Sequence, residues 1–165
     1  MDFYKYHGAG NDFIIIENIR GRVPEDHKPT LARRLCHRRF GIGGDGLIFV
    51  EPSGDADVRM RIFNPDGSEA EMCGNGIRCL AKHVHDFGIV PKEEIAVETM
   101  AGVKEVVLTV DEGKATYVRV DMGRPRISMT SEVIEAGGRE VEITALDTGV
   151  PHVVVFTEDL EGTDV

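Results

Sequence analysis

Apolar residues along the chain fall into two spacings, and these predict its elements. Ile77, Leu80, Ala81 and Val84 recur at i, i+3, i+4 and i+7, the stripe of an amphipathic helix. Gly88 stops that helix, and Pro91 follows three residues later. Leu31 and Leu35, inside a basic run, predict a second amphipathic helix over about 29–39, capped by Thr30 or the Asp26-His27 region. Arg33, Arg34, His37, Arg38 and Arg39 read as its solvated face. Phe13-Ile14-Ile15-Ile16 and Leu47-Ile48-Phe49-Val50 are continuously apolar and β-branched or aromatic, as buried strands are. Val58, Met60 and Ile62 alternate with Arg59 and Arg61, the pattern of a half-buried strand. Further strands are expected at Phe3–His7, 95–99, 106–110, 116–120, 141–143 and 153–156, with a hairpin turn at Asp111-Glu112-Gly113. Gly123-Arg124-Pro125-Arg126 breaks the pattern and marks a candidate boundary.

Between strand and helix lies the run Asn64-Pro65-Asp66-Gly67-Ser68-Glu69-Ala70-Glu71-Met72-Cys73-Gly74-Asn75-Gly76. Pro65-Asp66-Gly67 is a turn, since Pro holds φ and Gly allows a positive one. Cys73 then stands at the mouth of the central helix, where the first backbone N–H groups have no partner within the helix. The partial positive charge there favours a thiolate, and the same N–H groups can cradle a carboxylate. A thiolate beside a carboxylate nest suits removal of the proton next to that carboxylate. Free cysteines are more often packing residues, and Cys79, inside the helix, and Cys36, beside Leu35, read that way. Cys73 differs because Glu71-Met72 and Gly74-Asn75-Gly76 around it do not look like core. Asn11, after Gly8-Ala9-Gly10, is a turn residue or a ligand contact. Gly41-Ile42-Gly43-Gly44-Asp45-Gly46 is not a phosphate loop, because no Lys-Ser/Thr follows and a strand comes next. A backbone approached closely by a ligand or by the Cys73 loop fits it better.

Composition narrows the function classes. A formal charge of −10 disfavours nucleic-acid and anionic-membrane partners, which need a basic face. No apolar run approaches the ~20 residues of a bilayer span, and the N-terminus does not read as a signal peptide. Three cysteines without disulfide-framework spacing fit a reducing cytoplasm. One echo links the halves: Gly10–Glu17 and Gly149–Phe156 each place a glycine turn and a polar side chain before a β run.

Together these stretches resemble the diaminopimelate epimerase family. The matching motifs are His-Gly-Ala-Gly-Asn-Asp-Phe at 7–13, Gly-Ile-Gly-Gly-Asp-Gly at 41–46, Phe-Asn-Pro-Asp-Gly-Ser at 63–68 and Met-Cys-Gly-Asn-Gly-Ile-Arg-Cys at 72–79. Glu98–Gly102 and Gly149–His152 extend the match. The resemblance implies an α+β fold, a curled mixed sheet around a central helix, repeated in a second similar domain. Residues 1–122 would be the first domain and 123–165 the beginning of an incomplete second one. It implies an isomerase of lysine biosynthesis that interconverts LL- and meso-diaminopimelate with neither pyridoxal phosphate nor metal, using two cysteines on opposite faces of the α-carbon. By resemblance Cys73 is the first cysteine and His152 tunes the pair. Asn11 and Asn64 bind the substrate, and Gly74 and Asn75 hold its carboxylate.

The chain also departs from the family pattern. No motif matches the second cysteine, and Cys79 cannot replace it, since six helical residues carry it about 9 Å up the axis. Val150 stands where the family commonly has asparagine, and Gly46 where it sometimes has glutamine. A two-base mechanism needs both partners, so the chain by itself is expected to be inactive or severely impaired. Alternative readings are a proline racemase-like or phenazine-biosynthesis-like isomerase, a small zinc module using Cys79 and His83, with His85 near, and a homodimer formed through open sheet edges.

Overall fold

The computed structural model describes residues 2–149, 151–160, 162 and 163. Val150 therefore lies outside the described residues. The chain divides into two compact units, Met1–Asp121 and Met122–Val165.

The first unit is one mixed sheet with two helices. Its strands are β1 (Tyr4–Gly8), β2 (Asn11–Glu17), β3 (Gly46–Glu51), β4 (Val58–Phe63), the two-residue β5 (Glu69–Ala70), β6 (Glu94–Thr99), β7 (Gly102–Asp111) and β8 (Lys114–Val120). The order is β1-β2-β3-β4-β6-β7-β8, with β5 paired to β4. β2 with β3 and β4 with β6 are parallel, and every other neighbouring pair is antiparallel. A parallel pair needs a crossover, and the two crossovers carry α1 (Lys28–Leu35) and α2 (Gly74–Asp86).

The helices explain the unbroken apolar runs. Phe13, Ile15, Ile48 and Val50 face a core with Ile77, Leu80, Ala81 and Val84 of α2. Their neighbours Ile14, Ile16, Leu47 and Phe49 face the opposite core with Ala32 and Cys36 of the α1 region. A strand buried on both faces has no polar side to show. Full burial of each such side chain stabilises by about 1.5–3 kcal/mol. α2 packs against β1 and β8, the two ends of the order, as well as against β2, β3, β4 and β7. The sheet therefore curls around α2, the α+β arrangement expected.

α1 ends earlier than the basic run suggested. Cys36 caps it, and the carbonyls of Leu35 and Cys36 accept from the N–H groups of Ile42, Gly43 and Gly44. Its N-cap is His27, within the expected Asp26-His27 region and not at Thr30, and it makes no side-chain cap bond. The glycine cluster exists for this return: a Cβ at Gly41 would stand 2.2 Å from the Arg34 carbonyl oxygen. At Gly41 the close approach is to the end of α1 and not to the Cys73 loop.

The second unit is a three-stranded antiparallel sheet of β9 (Arg126–Ala136), β10 (Arg139–Asp147) and β11 (Pro151–Val154), in the order β11-β10-β9. β9 has no counterpart among the expected strands. It is exposed along its whole length, so its residues carry no inside–outside alternation to read. Among the described residues no helix is long and apolar enough to cross a membrane.

Candidate active site

Two backbone devices bring distant residues together in the first unit. The first is the two-residue β1–β2 turn, Ala9-Gly10, with φ of 54° and 85°. Positive φ at both central positions makes a tight hairpin whose twist matches that of its strands. Gly8 and Asn11 are thereby paired across the hairpin. The second is the start of α2, where Cys73 is the N-cap in an extended conformation (φ −144°, ψ 112°). Its carbonyl accepts the first helical bond from Ile77, and its sulfur accepts from the Gly76 N–H at 3.4 Å. Gly8 joins the two devices, since a Cβ there would sit 3.1 Å from the Asn75 carbonyl oxygen.

As a result the Asn11 carboxamide lies against the helix start. Its Oδ1 accepts from the Cys73 thiol at 3.8 Å and from Asn75 Nδ2 at 3.4 Å. The Cys73 sulfur thus touches a donor on one side and an acceptor on the other. Cys73 is half-buried, whereas Cys36 and Cys79 are buried. Burial pushes both of those thiols up to about 11. Packing is their role, as the sequence indicated.

Asn64 opens the turn between β4 and β5. Its N–H and Nδ2 donate to Ser68, and its carbonyl accepts from the Gly67 N–H at 2.9 Å. Gly67 has the positive φ, 84°, that the turn needs. Arg61, three residues before Asn64 on β4, is held by Glu69 across the turn, and Arg33 of α1 donates to the Asp66 carbonyl. Gly74 and Asn75 are the first two residues of α2, so their N–H groups have no acceptor within the helix. His152 lies in the second unit, on β11, paired with Leu146 of β10.

Several polar residues around this cluster gave no signal of their own in the sequence. Asn11 Nδ2 donates to Asp45, and Arg38 reaches Asp12 and Asp45 at 2.6 Å each. Arg38 therefore belongs to an ion cluster and not to a merely solvated helix face. Its guanidinium, helped by Lys5, holds the Asp12 carboxyl well below the usual carboxylate range. Arg78, one turn into α2, donates to the Gly74 carbonyl at 2.9 Å and to the Asn75 side chain. These residues are polar and sit in a loop, near strand ends or in the first turns of a helix, where no periodicity marks them.

His83 does not form a metal pair with Cys79. Its Nδ1 meets the Tyr6 hydroxyl at 3.2 Å and its Nε2 meets Glu17 at 3.0 Å, which occupies both ring nitrogens. Its ring stacks near Tyr4 and Phe87, and burial lowers its basicity despite Glu17. A cavity of 880 Å³ between the end of β2 and α1 includes Glu17, Arg20, Arg22 and Arg34 in its wall, but none of the candidate residues.

Comparison with known proteins gives an independent view. The family model described as diaminopimelate epimerase matches residues 3–128. The chain is 48% identical to the diaminopimelate epimerase of Pelotomaculum thermopropionicum, over 98% of this chain and 62% of that protein. It is 50% identical to the diaminopimelate epimerase of Methanothrix thermoacetophila, over 98% of this chain and 60% of that one. The chain thus spans a little over three-fifths of the length of these relatives. Its fold is shared with a probable proline racemase of Agrobacterium radiobacter (TM-score 0.73, 18% identity, 93% of this chain and 51% of that one). It is shared too with a phenazine biosynthesis protein of Bacillus anthracis (TM-score 0.72, 22% identity, 93% and 54%).

Proposed function

Since this chain belongs to the diaminopimelate epimerase family, we propose that it supplies the first half-site of a cofactor-independent isomerase interconverting LL- and meso-diaminopimelate. One observation carries the reading: the Cys73 sulfur sits between the Gly76 N–H donor and the Asn11 Oδ1 acceptor at the N-terminus of α2. A thiol that must act as base in one direction and acid in the other needs stabilisation in both ionisation states. A donor favours the thiolate, and an acceptor favours the thiol.

In the forward step the Cys73 thiolate takes the α-proton, and the electron pair moves into the adjacent carboxylate. The N–H groups of Gly74 and Asn75 would hold that carboxylate as its charge grows. A thiol on the opposite face then returns a proton to the α-carbon, which inverts it. Asn11 and Asn64 would bind the polar ends of the substrate. We assign His152 to tuning the thiol pair, and residues 123–165 to the opening of a second, similar domain. The substrate is a small molecule and the working compartment a reducing cytoplasm, where a free thiol survives. Because the chain carries no match to the second cysteine motif, it is proposed to be inactive or severely impaired in epimerisation when alone.

The test is deuterium wash-in at the α-carbon of LL- and meso-diaminopimelate, with wild type and Cys73→Ala in parallel. Exchange without inversion, lost in Cys73→Ala, is the expected sign of a one-base half-site. Exchange with inversion would refute the missing-acid argument. Equal exchange in both proteins would overturn the role of Cys73.

A further inference from the structure

We infer that Asp45 is a positioning residue for the Cys73 thiol, acting through the orientation of the Asn11 carboxamide. The inference rests on the reading of Cys73 as the proton-transferring thiol. A carboxamide has an acceptor end and a donor end, and a half-turn about its terminal bond exchanges them. Which end faces the sulfur decides which ionisation state is favoured. The oxygen accepts from S–H, and the NH2 group would donate to a thiolate.

Asp45 settles the choice. When ionised its carboxylate only accepts, so it can bond Asn11 through Nδ2 alone, at 2.9 Å. Oδ1 is thereby turned toward Cys73 and Asn75. Asp45 is itself held. Its Oδ2 also accepts from the Asp12 N–H at 3.0 Å, and its Oδ1 accepts from Arg38 at 2.6 Å. Its own N–H donates to the Asp12 carbonyl at 2.7 Å. Arg38 spans Asp12 and Asp45, and Lys5 pairs with Asp12 at 2.6 Å, so the carboxylate is fixed from three directions. The chain from Arg38 through Asp45 and Asn11 to Cys73 lies wholly within the first unit. The clamp holds the acceptor end of the Asn11 carboxamide against the sulfur.

The experiment is the pH–rate profile of Cys73 alkylation by iodoacetamide in the 165-residue protein, read on the Cys73 peptide by mass spectrometry. Wild type, Asp45→Ala, Asn11→Ala and the double variant are compared. Freed from Asp45, the carboxamide can turn its NH2 to the sulfur. Asp45→Ala should then speed alkylation near neutral pH by about fivefold, the scale of one hydrogen bond. In the Asn11→Ala background the same change should alter the rate by less than about twofold, since additivity fails only for coupled groups. Equal acceleration in both backgrounds would mean that the Asp45 charge acts directly on the sulfur, and would overturn the inference. So would no acceleration in either. If Asp45→Ala does not fold, Asp45→Asn enters the same cycle, with the same sign expected. Alkylation does not require turnover, so loss of deuterium exchange and loss of this coupling are separate results.

Discussion

The carboxamide oxygen of Asn11 lies 3.8 Å from the sulfur of Cys73, across 62 residues of chain. A hairpin turn and a helix cap meet there, and disturbing either should be felt at the thiol.

The three thiols should react in a set order. Cys73 is half-buried at a helix N-terminus, while burial pushes Cys36 and Cys79 up to about 11 from an ordinary 9.0. Two such units leave about a hundredfold less thiolate at a given pH. Limited iodoacetamide at pH 8 should label the Cys73 peptide first. Comparable labelling of Cys79 in the folded protein would contradict this.

Gly8→Ala should be felt at the thiol as well as in the fold. The added methyl would press the Asn75 carbonyl at 3.1 Å, a backbone atom that moves only with the start of α2. A stability cost of about 1–3 kcal/mol is expected from this overpacking. Cys73 alkylation should change several-fold with it. Gly88→Ala is the control. It has a φ of 70° and open space around it, so it should lose stability by about 1–2 kcal/mol through backbone strain alone. Its Cys73 should react as in wild type; equal effects of the two substitutions on the thiol would break the argument.

Lys28 is a fully buried ammonium paired with Glu25 and with Glu51 at 2.6 Å. Lys28→Met should destabilise by about 3–5 kcal/mol, because the nearly buried Glu51 carboxylate loses its closest cation. Arg61, 3.8 Å from Glu51, offsets part of this. Adding Glu51→Gln to Lys28→Met removes the stranded charge and should recover part of the loss in urea denaturation. A double variant less stable than Lys28→Met would show that Glu51 is not the penalised group.

Asp86 should contribute to acid lability. Burial raises its carboxyl, but Lys82, the Ala115 N–H and His85 outweigh that and hold it at about 2, against 3.8 for a free aspartate. A folded-state value below the unfolded one gives stability that is present above about 3.8 and is lost as pH falls toward 2. Asp86→Asn should therefore be less stable than wild type at pH 6. The gap should close between pH 4 and 2 in denaturation midpoints taken at several pH values. A gap independent of pH would exclude the ionic origin.

The sequence by itself determined much of the first unit. Continuous apolar runs at 13–16 and 47–50 required burial on both faces, and the 3.6-residue stripe from Ile77 to Val84 required one helix to fill the core. Cys73 could be singled out because glycine and asparagine, not core residues, surround it. These features depend on neighbours along the chain, and so they can be read from it. Local order could not reveal that Gly41 folds back on the carbonyls ending α1, shortening that helix, or that β9 forms without a buried face. Nor could it reveal the link from Arg38 through Asp45 to Asn11 and Cys73. Those groups come from one loop, a strand start and a helix cap, joined only when the sheet curls around α2. Polar side chains carry no periodicity, and hydrogen bonds are satisfied by whichever partner the fold brings within 3 Å or so. The tertiary structure decided that.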